Sequence, residues 1–279
     1  MAHERSALLR CSLVAGDTTD TFVEVWYSAP IPGAELQVRA RSPNRLWSAW
    51  VGPNDEDVLL DDGHNRAIVA MVRHDAWVPN GKRSLMLLAV GPTAAPADVP
   101  GPLADEGLWE VEIRLVGKKA KDAGPVKVQA WIERDDPGWA APAARPSFVD
   151  QLANDDSNTL SSLATGQLTL AAGGFNRDTG RPAAYSSRGP QRQGSRQRLL
   201  LAACEEDEQQ PTLAAAATRS GEVFRMNGTS VAAPVLARRV FNRMAGGPPV
   251  ATADWPTELQ NLVAAQVPGL VLLKEHEPD

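Results

Sequence analysis

Residues 108–116 read Leu-Trp-Glu-Val-Glu-Ile-Arg-Leu-Val, so that Trp109, Val111, Ile113 and Leu115 alternate with Glu110, Glu112 and Arg114. A period of two suits a strand with one dry face and one wet face, because successive side chains point to opposite sides of a sheet. The same alternation recurs in residues 35–41 and 126–133, and residues 22–28, 67–72 and 84–90 are further strand candidates. Turn-forming clusters such as Pro30-Ile31-Pro32-Gly33 and Pro53-Asn54-Asp55 separate these runs. Residues 117–124, between the two best-patterned runs, read as a polar hairpin loop. Short strands with turn signals and no helical period between them predict an all-β sandwich or jelly roll at 11–135. Seven of the eight Trp residues precede residue 140, and their expected place is core and edge packing rather than a ligand platform.

Past that region the pattern changes. Residues 1–10 read as a lead-in and 136–150, which begin Asp136-Pro137-Gly138-Trp139, as a Pro/Ala-rich connector. In 151–279, the run Leu168-Thr169-Leu170-Ala171-Ala172-Gly173-Gly174 is apolar without alternation, as in a parallel-sheet strand buried on both faces. Residues 230–245 have a helical period, with Val231, Val235, Leu236, Val240 and Met244 on one face and Arg238, Arg239 and Arg243 mostly on another. A second helix is expected over 256–266, with Asp254 or Thr257 near its start and Pro268-Gly269 closing it. Strands followed by amphipathic helices predict an α/β, parallel-sheet segment over 151–279.

The net charge is -6 with no basic stretch, which argues against nucleic acid or an anionic membrane as partner. The strongest charge run, Cys204-Glu205-Glu206-Asp207-Glu208, reads as a solvated loop, with a cation site as the alternative. Cys11 and Cys204 stand in no metal-ligand spacing, and neither a metal nor a cofactor is expected. The start, Met1-Ala2-His3-Glu4-Arg5-Ser6, lacks the pattern of a secretory signal, and no apolar stretch reaches the roughly 18–20 residues of a membrane span. The expectation is a soluble, cytoplasmic chain.

One segment carries chemistry. Gly228-Thr229-Ser230 leads straight into the predicted helix, whose first N–H groups have no intrahelical partner and carry the positive end of the dipole. A hydroxyl placed there lies beside donors able to hold a developing oxyanion. Gly228 lets the chain turn sharply, and Pro234 sits in the early turns, where a missing N–H does least harm. Three such residues alone describe an ordinary N-cap.

The longer string Asn227-Gly228-Thr229-Ser230-Val231-Ala232-Ala233-Pro234 closely resembles the nucleophile motif of the subtilisin-like serine peptidases. Upstream, Tyr185-Ser186-Ser187-Arg188-Gly189-Pro190 resembles that family's aromatic-Ser-Ser-Arg-Gly-Pro loop, and 168–174 its preceding buried strand. Together these cover roughly residues 160–245, the final portion of a catalytic domain. The resemblance implies a parallel α/β domain in which Ser230 attacks a scissile carbonyl to form an acyl-enzyme and its backbone N–H donates to the oxyanion. Asn227, Gly228, Thr229 and Pro234 complete the motif. Ser186, Ser187 and Arg188 belong to a scaffold loop without assigned chemistry.

The other members of the family's triad are not matched. None of His3, His64, His74 and His276 stands in a His-Gly-Thr-His-like segment, and Asp61-Asp62-Gly63-His64 falls between predicted sandwich strands. The oxyanion Asn of an Ala-Gly-Asn segment has no counterpart. After Pro190, where relatives continue to a Pro-Asp-Val-x-Ala-Pro-like segment, this chain has Leu199-Leu200-Leu201-Ala202-Ala203-Cys204. The resemblance therefore implies the C-terminal part of a serine endopeptidase, inactive alone, with a polypeptide substrate and a separate N-terminal catalytic segment as partners. The competing reading is a binding or interaction protein whose β-sandwich contacts a partner or glycan and whose peptidase half is a relic. An unorthodox dyad of Ser230 with His64 or His74 is the third reading.

Overall fold

The structure is a computed structural model that describes residues 5–28, 32–44, 47–60, 67–76, 83–95, 101–133, 145–149, 159–165, 169–188, 199–206, 212–246 and 270–272. The chain divides into two compact units, Met1–Asn154 and Asp155–Asp279.

In the first unit the strands are β1 (Arg5–Leu13), β2 (Thr21–Tyr27), β3 (Glu35–Arg41), β4 (Asp55–Leu60), β5 (Ile68–Asp75), β6 (Ser84–Val90), β7 (Gly107–Val116), β8 (Val128–Ile132) and β9 (Ser147–Phe148). They form a four-stranded sheet, β3-β7-β1-β9, and a five-stranded sheet, β4-β5-β6-β2-β8, with every pair antiparallel. Leu36, Val38, Ala40, Trp109, Val111 and Ile113 of the first sheet share one core with Val23, Val25, Val72, Met86 and Leu88 of the second. Trp109 is fully buried, and its indole N–H donates to the Asp105 carbonyl at 3.0 Å, so the large apolar ring enters the core without an orphaned donor. β1 begins inside the stretch read as lead-in, and β9, which pairs with β1, lies inside the stretch read as connector.

Residues 117–124 do not close a hairpin. β7 and β8 belong to different sheets, so the segment crosses from one to the other. It is anchored inward by Ala123, which is buried, and by Gly117. Gly117 has φ +108°, and a β-carbon there would lie 2.6 Å from the Gly33 carbonyl oxygen. Its lysines suggested a solvated turn, whereas Gly117 and Ala123 set its path.

The outer face of the four-stranded sheet holds paired charges. The Arg39 guanidinium lies 2.7 Å from the Glu112 carboxylate and stacks over the rings of Trp47 and Trp50 at 4.1 and 4.4 Å. The Arg114 guanidinium lies 3.9 Å from the centre of the Trp50 ring and donates to the Gln37 side-chain carbonyl at 2.8 Å. Arg41 and Arg10 both pair with Glu110. Trp109 is thus core, while Trp47 and Trp50 cover the sheet under guanidinium groups.

The second unit contains β10 (Ala171–Asn176), β11 (Leu199–Glu205), β12 (Leu213–Ala216), β13 (Val223–Met226), α1 (Thr229–Gly246) and β14 (Leu270–Leu272). β10 and β11 run parallel, β14 pairs antiparallel with the other edge of β11, and β12–β13 is a separate antiparallel ribbon. β11 is buried on both sides. Leu200, Ala202 and Cys204 meet Val231, Ala232 and Leu236 of α1, while Leu201 and Ala203 pack with Phe175 on the opposite face.

The expectation of an α/β parallel-sheet fold is overturned. The protein is mostly β with antiparallel sheets, and among the described residues there is one α-helix and one parallel strand pair. An unalternating apolar run reports that a strand is covered on two faces; it does not report how many parallel neighbours the strand has. The expected strand at 168–174 is shifted to Ala171–Asn176, and the expected helix at 256–266 lies outside the described residues. Among the described residues no helix is long and apolar enough to cross a membrane.

Candidate functional site

The ribbon β12–β13, with Leu213 opposite Met226 and Ala216 opposite Val223, delivers the chain to Asn227. Gly228 follows with φ +104°, a conformation that costs an L side chain and costs glycine little. Its carbonyl accepts from the N–H groups of Val231 at 2.9 Å and Ala232 at 3.4 Å, which opens α1. Thr229 and Ser230 therefore occupy the first two helical positions, where backbone N–H groups have no intrahelical acceptor.

The small-residue run then sets the rotation of the helix. Val231 and Ala232 are buried against β11, and this turns Ser230 outward, where it is exposed. Val235 and Val240 are partly buried behind them, whereas Met244 of the expected apolar face is exposed. Pro234 sits four residues after Ser230 and has no N–H, so it offers the Ser230 carbonyl no helical hydrogen bond.

A loop following β10 supports the turn. Ser186 N–H donates to the Ala183 carbonyl at 2.8 Å, and Ser186 Oγ accepts from Gly174 N–H at 3.0 Å, which pins the loop to β10. Arg188 and Thr159 bond reciprocally: the Thr159 N–H reaches the Arg188 carbonyl at 3.1 Å, and the Arg188 N–H reaches Thr159 Oγ1 at 3.0 Å. Tyr185 Oη accepts from Gly228 N–H at 3.0 Å and lies 3.2 Å from Cys204 Sγ. Burial pushes both the Tyr185 phenol and the Cys204 thiol above their ordinary ranges, so both stay protonated near neutrality.

Cys204 therefore does not begin a solvated loop. It is fully buried near the end of β11, and Glu205 is the last strand residue; Asp207 and Glu208 lie outside the described residues. The run Leu199-Leu200-Leu201-Ala202-Ala203-Cys204, which departs from the family's pattern, is this buried strand.

Ser230, Asn227, Gly228, Thr229 and Pro234 form one continuous turn and helix start, as their adjacency requires. Among the described residues no histidine or carboxylate is hydrogen-bonded to the Ser230 hydroxyl. His74 sits in β5 of the first unit, fully buried, with Nε2 2.6 Å from Tyr27 Oη. Burial lowers its pKa from the ordinary 6.5. His3, His64 and His276 lie outside the described residues, as do Asp61, Asp62 and Gly63. Among the described residues no three His, Cys, Asp or Glu side chains gather as a metal site.

Sequence reasoning missed the Tyr185 hydroxyl and the Cys204 thiol as parts of this site. The available signal was chemical: the motif position asks only for an aromatic ring, and tyrosine adds an oxygen that can bond.

No protein-family model matches the chain, and no curated protein matches it. Among solved structures, the chain is similar to the Clostridium perfringens CspB protease, with a TM-score of 0.58 and 17% identity over 85% of this chain. The likeness is one of fold. The chain spans 43% of the length of that protease.

Proposed function

We propose that this chain is part of a subtilisin-like serine endopeptidase in which Ser230 is the nucleophile. The observation that carries this reading is Ser230 standing outward at the second residue of α1, within Asn227-Gly228-Thr229-Ser230, two residues after a positive-φ glycine. The similarity of fold to a protease supports it. In this reading the Ser230 hydroxyl attacks the scissile carbonyl of a polypeptide, and the Ser230 N–H, free at the helix start, donates to the oxyanion of the tetrahedral intermediate.

Such a hydroxyl is a weak nucleophile without a base beside it. His74 is engaged with Tyr27 in the core of the first unit. We therefore assign the general base, and the second oxyanion donor, to a separate N-terminal catalytic segment. Loss of one oxyanion donor alone costs about a hundred- to a thousandfold in rate. The 279 residues by themselves are thus expected to be inactive or nearly so.

A fluorophosphonate probe tests this. It should label Ser230 when the N-terminal segment is supplied, label the isolated chain far more slowly, and fail on Ser230→Ala under both conditions. Absence of labelling in the reconstituted protein would discard the peptidase reading in favour of an interaction protein.

A further inference from the structure

We propose that Tyr185 is a positioning residue for Ser230, its phenol holding the Gly228 turn that presents the serine hydroxyl. The role has meaning for catalysis only if the peptidase reading holds, but its geometry is independent of that reading. Gly228 N–H donates to Tyr185 Oη at 3.0 Å, so the phenol hydrogen points elsewhere. Cys204 Sγ, 3.2 Å away, and the Glu205 side chain are acceptors within its reach, while the thiol's own hydrogen has the Phe175 carbonyl at 3.6 Å. A carbonyl can only accept, which fixes the direction of the last step. With the phenol hydrogen on the thiol, donation runs from Gly228 through Tyr185 and Cys204 to Phe175.

This chain ties together three pieces of sequence that meet only in the folded unit: the loop after β10, the end of β11 and the entrance of α1. It acts on a weak point. Gly228 has no side chain to pack and sits at φ +104°, so Tyr185 Oη supplies what backbone preference does not. The thiol cannot recede, because Gly174 packs so closely that a β-carbon there would collide with Cys204 Sγ. Since Ser230 is two residues beyond Gly228, a displaced turn displaces the reacting oxygen. Misplacement by about 1 Å can lower a rate roughly a hundredfold.

The test uses the full chain and two readouts. Amide exchange by NMR reads the turn. Tyr185→Phe keeps the ring and deletes one oxygen; Gly228 exchange should rise about tenfold or more while the β11 amides keep their protection. Cys204→Ala interrupts the chain one step further away and should release Gly228 by about threefold, whereas Cys204→Ser retains a hydroxyl and should stay within about twofold of the parent. Gly228 exchange unchanged in both Tyr185→Phe and Cys204→Ala overturns the proposal. If Tyr185→Phe loosens the whole unit, the two Cys204 variants decide: equal Gly228 exchange in them overturns it.

Fluorophosphonate labelling with the N-terminal segment supplied reads Ser230. Tyr185→Phe should lower the maximal labelling rate about tenfold with the half-saturating probe concentration unchanged. A released turn with an unchanged labelling rate overturns the positioning role. Failure of the parent protein to label removes the peptidase reading instead, and the exchange result still decides whether Tyr185 holds the turn.

Discussion

The two units differ in what their polar side chains hold together. In the first, buried polar groups are paired locally: His74 meets Tyr27 in the core, and Glu110, 6% exposed, meets Arg10 and Arg41. The dry faces of two antiparallel sheets share a core, while Arg39, Arg41, Arg114, Glu110 and Glu112 pair across the outer face under Trp47 and Trp50. In the second, a fully buried thiol and a phenol that is 39% exposed are hydrogen-bonded between strand and helix entrance. Apolar side chains there also remain outside: Phe224 of β13 and Phe241 of α1 are 58% and 67% exposed. The first arrangement tolerates change at its surface and resists it at the centre. The second concentrates its requirements in a few close contacts between small residues.

The largest test of that contrast removes the centre of the first unit. Trp109→Ala should cost about 3–5 kcal/mol, because the ring is fully buried and its cavity cannot collapse freely. Chemical denaturation should show the loss in the transition of the first unit, and a cost below about 1 kcal/mol would mean that the core is not as tightly specified as its burial implies.

Alkaline pH probes the same core through Cys11, whose thiol burial pushes up from 9.0 to about 12. A raised acid pKa means that the unfolded chain loses its proton first. The stabilisation is therefore complete below pH 9 and falls as pH rises toward 12. The loss amounts to a few kcal/mol on the scale of about 1.4 kcal/mol per pKa unit. Stability measured against pH in the parent and in Cys11→Ala should diverge over that window; parallel curves would rule Cys11 out as the cause.

In the second unit Gly174→Ala should cost about 1–3 kcal/mol, since the added carbon meets Cys204 Sγ. Reaction of Cys204 with a thiol reagent should quicken as the strand is pushed from its place. Equal thiol reactivity in variant and parent would show that the unit is looser than its contacts suggest. The smallest effect belongs to the surface: Arg39→Ala should cost about 1 kcal/mol or less by thermal melting, because its ion pair and ring stacking are partly hydrated. A much larger loss would make the outer face of the first unit as exacting as its core.

How far the sequence spoke also differs between the units. Alternation located β3 and β7 to within a residue, because a period of two has few other physical readings. It could not assign strands to sheets, and the lysine-rich segment after β7 read as a hairpin although it crosses between sheets. In the second unit the apolar run was legible as buried but not as one strand of a mixed, mostly antiparallel arrangement. The place of Ser230 at a helix start could be read from adjacent residues. The bond from Tyr185 to Gly228 joins positions 43 residues apart and leaves no periodic trace.

The strand β14 has a consequence for how the chain is made. Only three residues, Leu270–Leu272, pair with the second edge of β11. During synthesis from the N-terminus, β11 and its run Leu199-Leu200-Leu201-Ala202-Ala203-Cys204 emerge about seventy residues before that cover exists. An apolar strand with a free edge is a template for pairing with another copy of itself. Until residues 270–272 are translated, the chain carries an adhesive segment that no other strand among the described residues shields on that side.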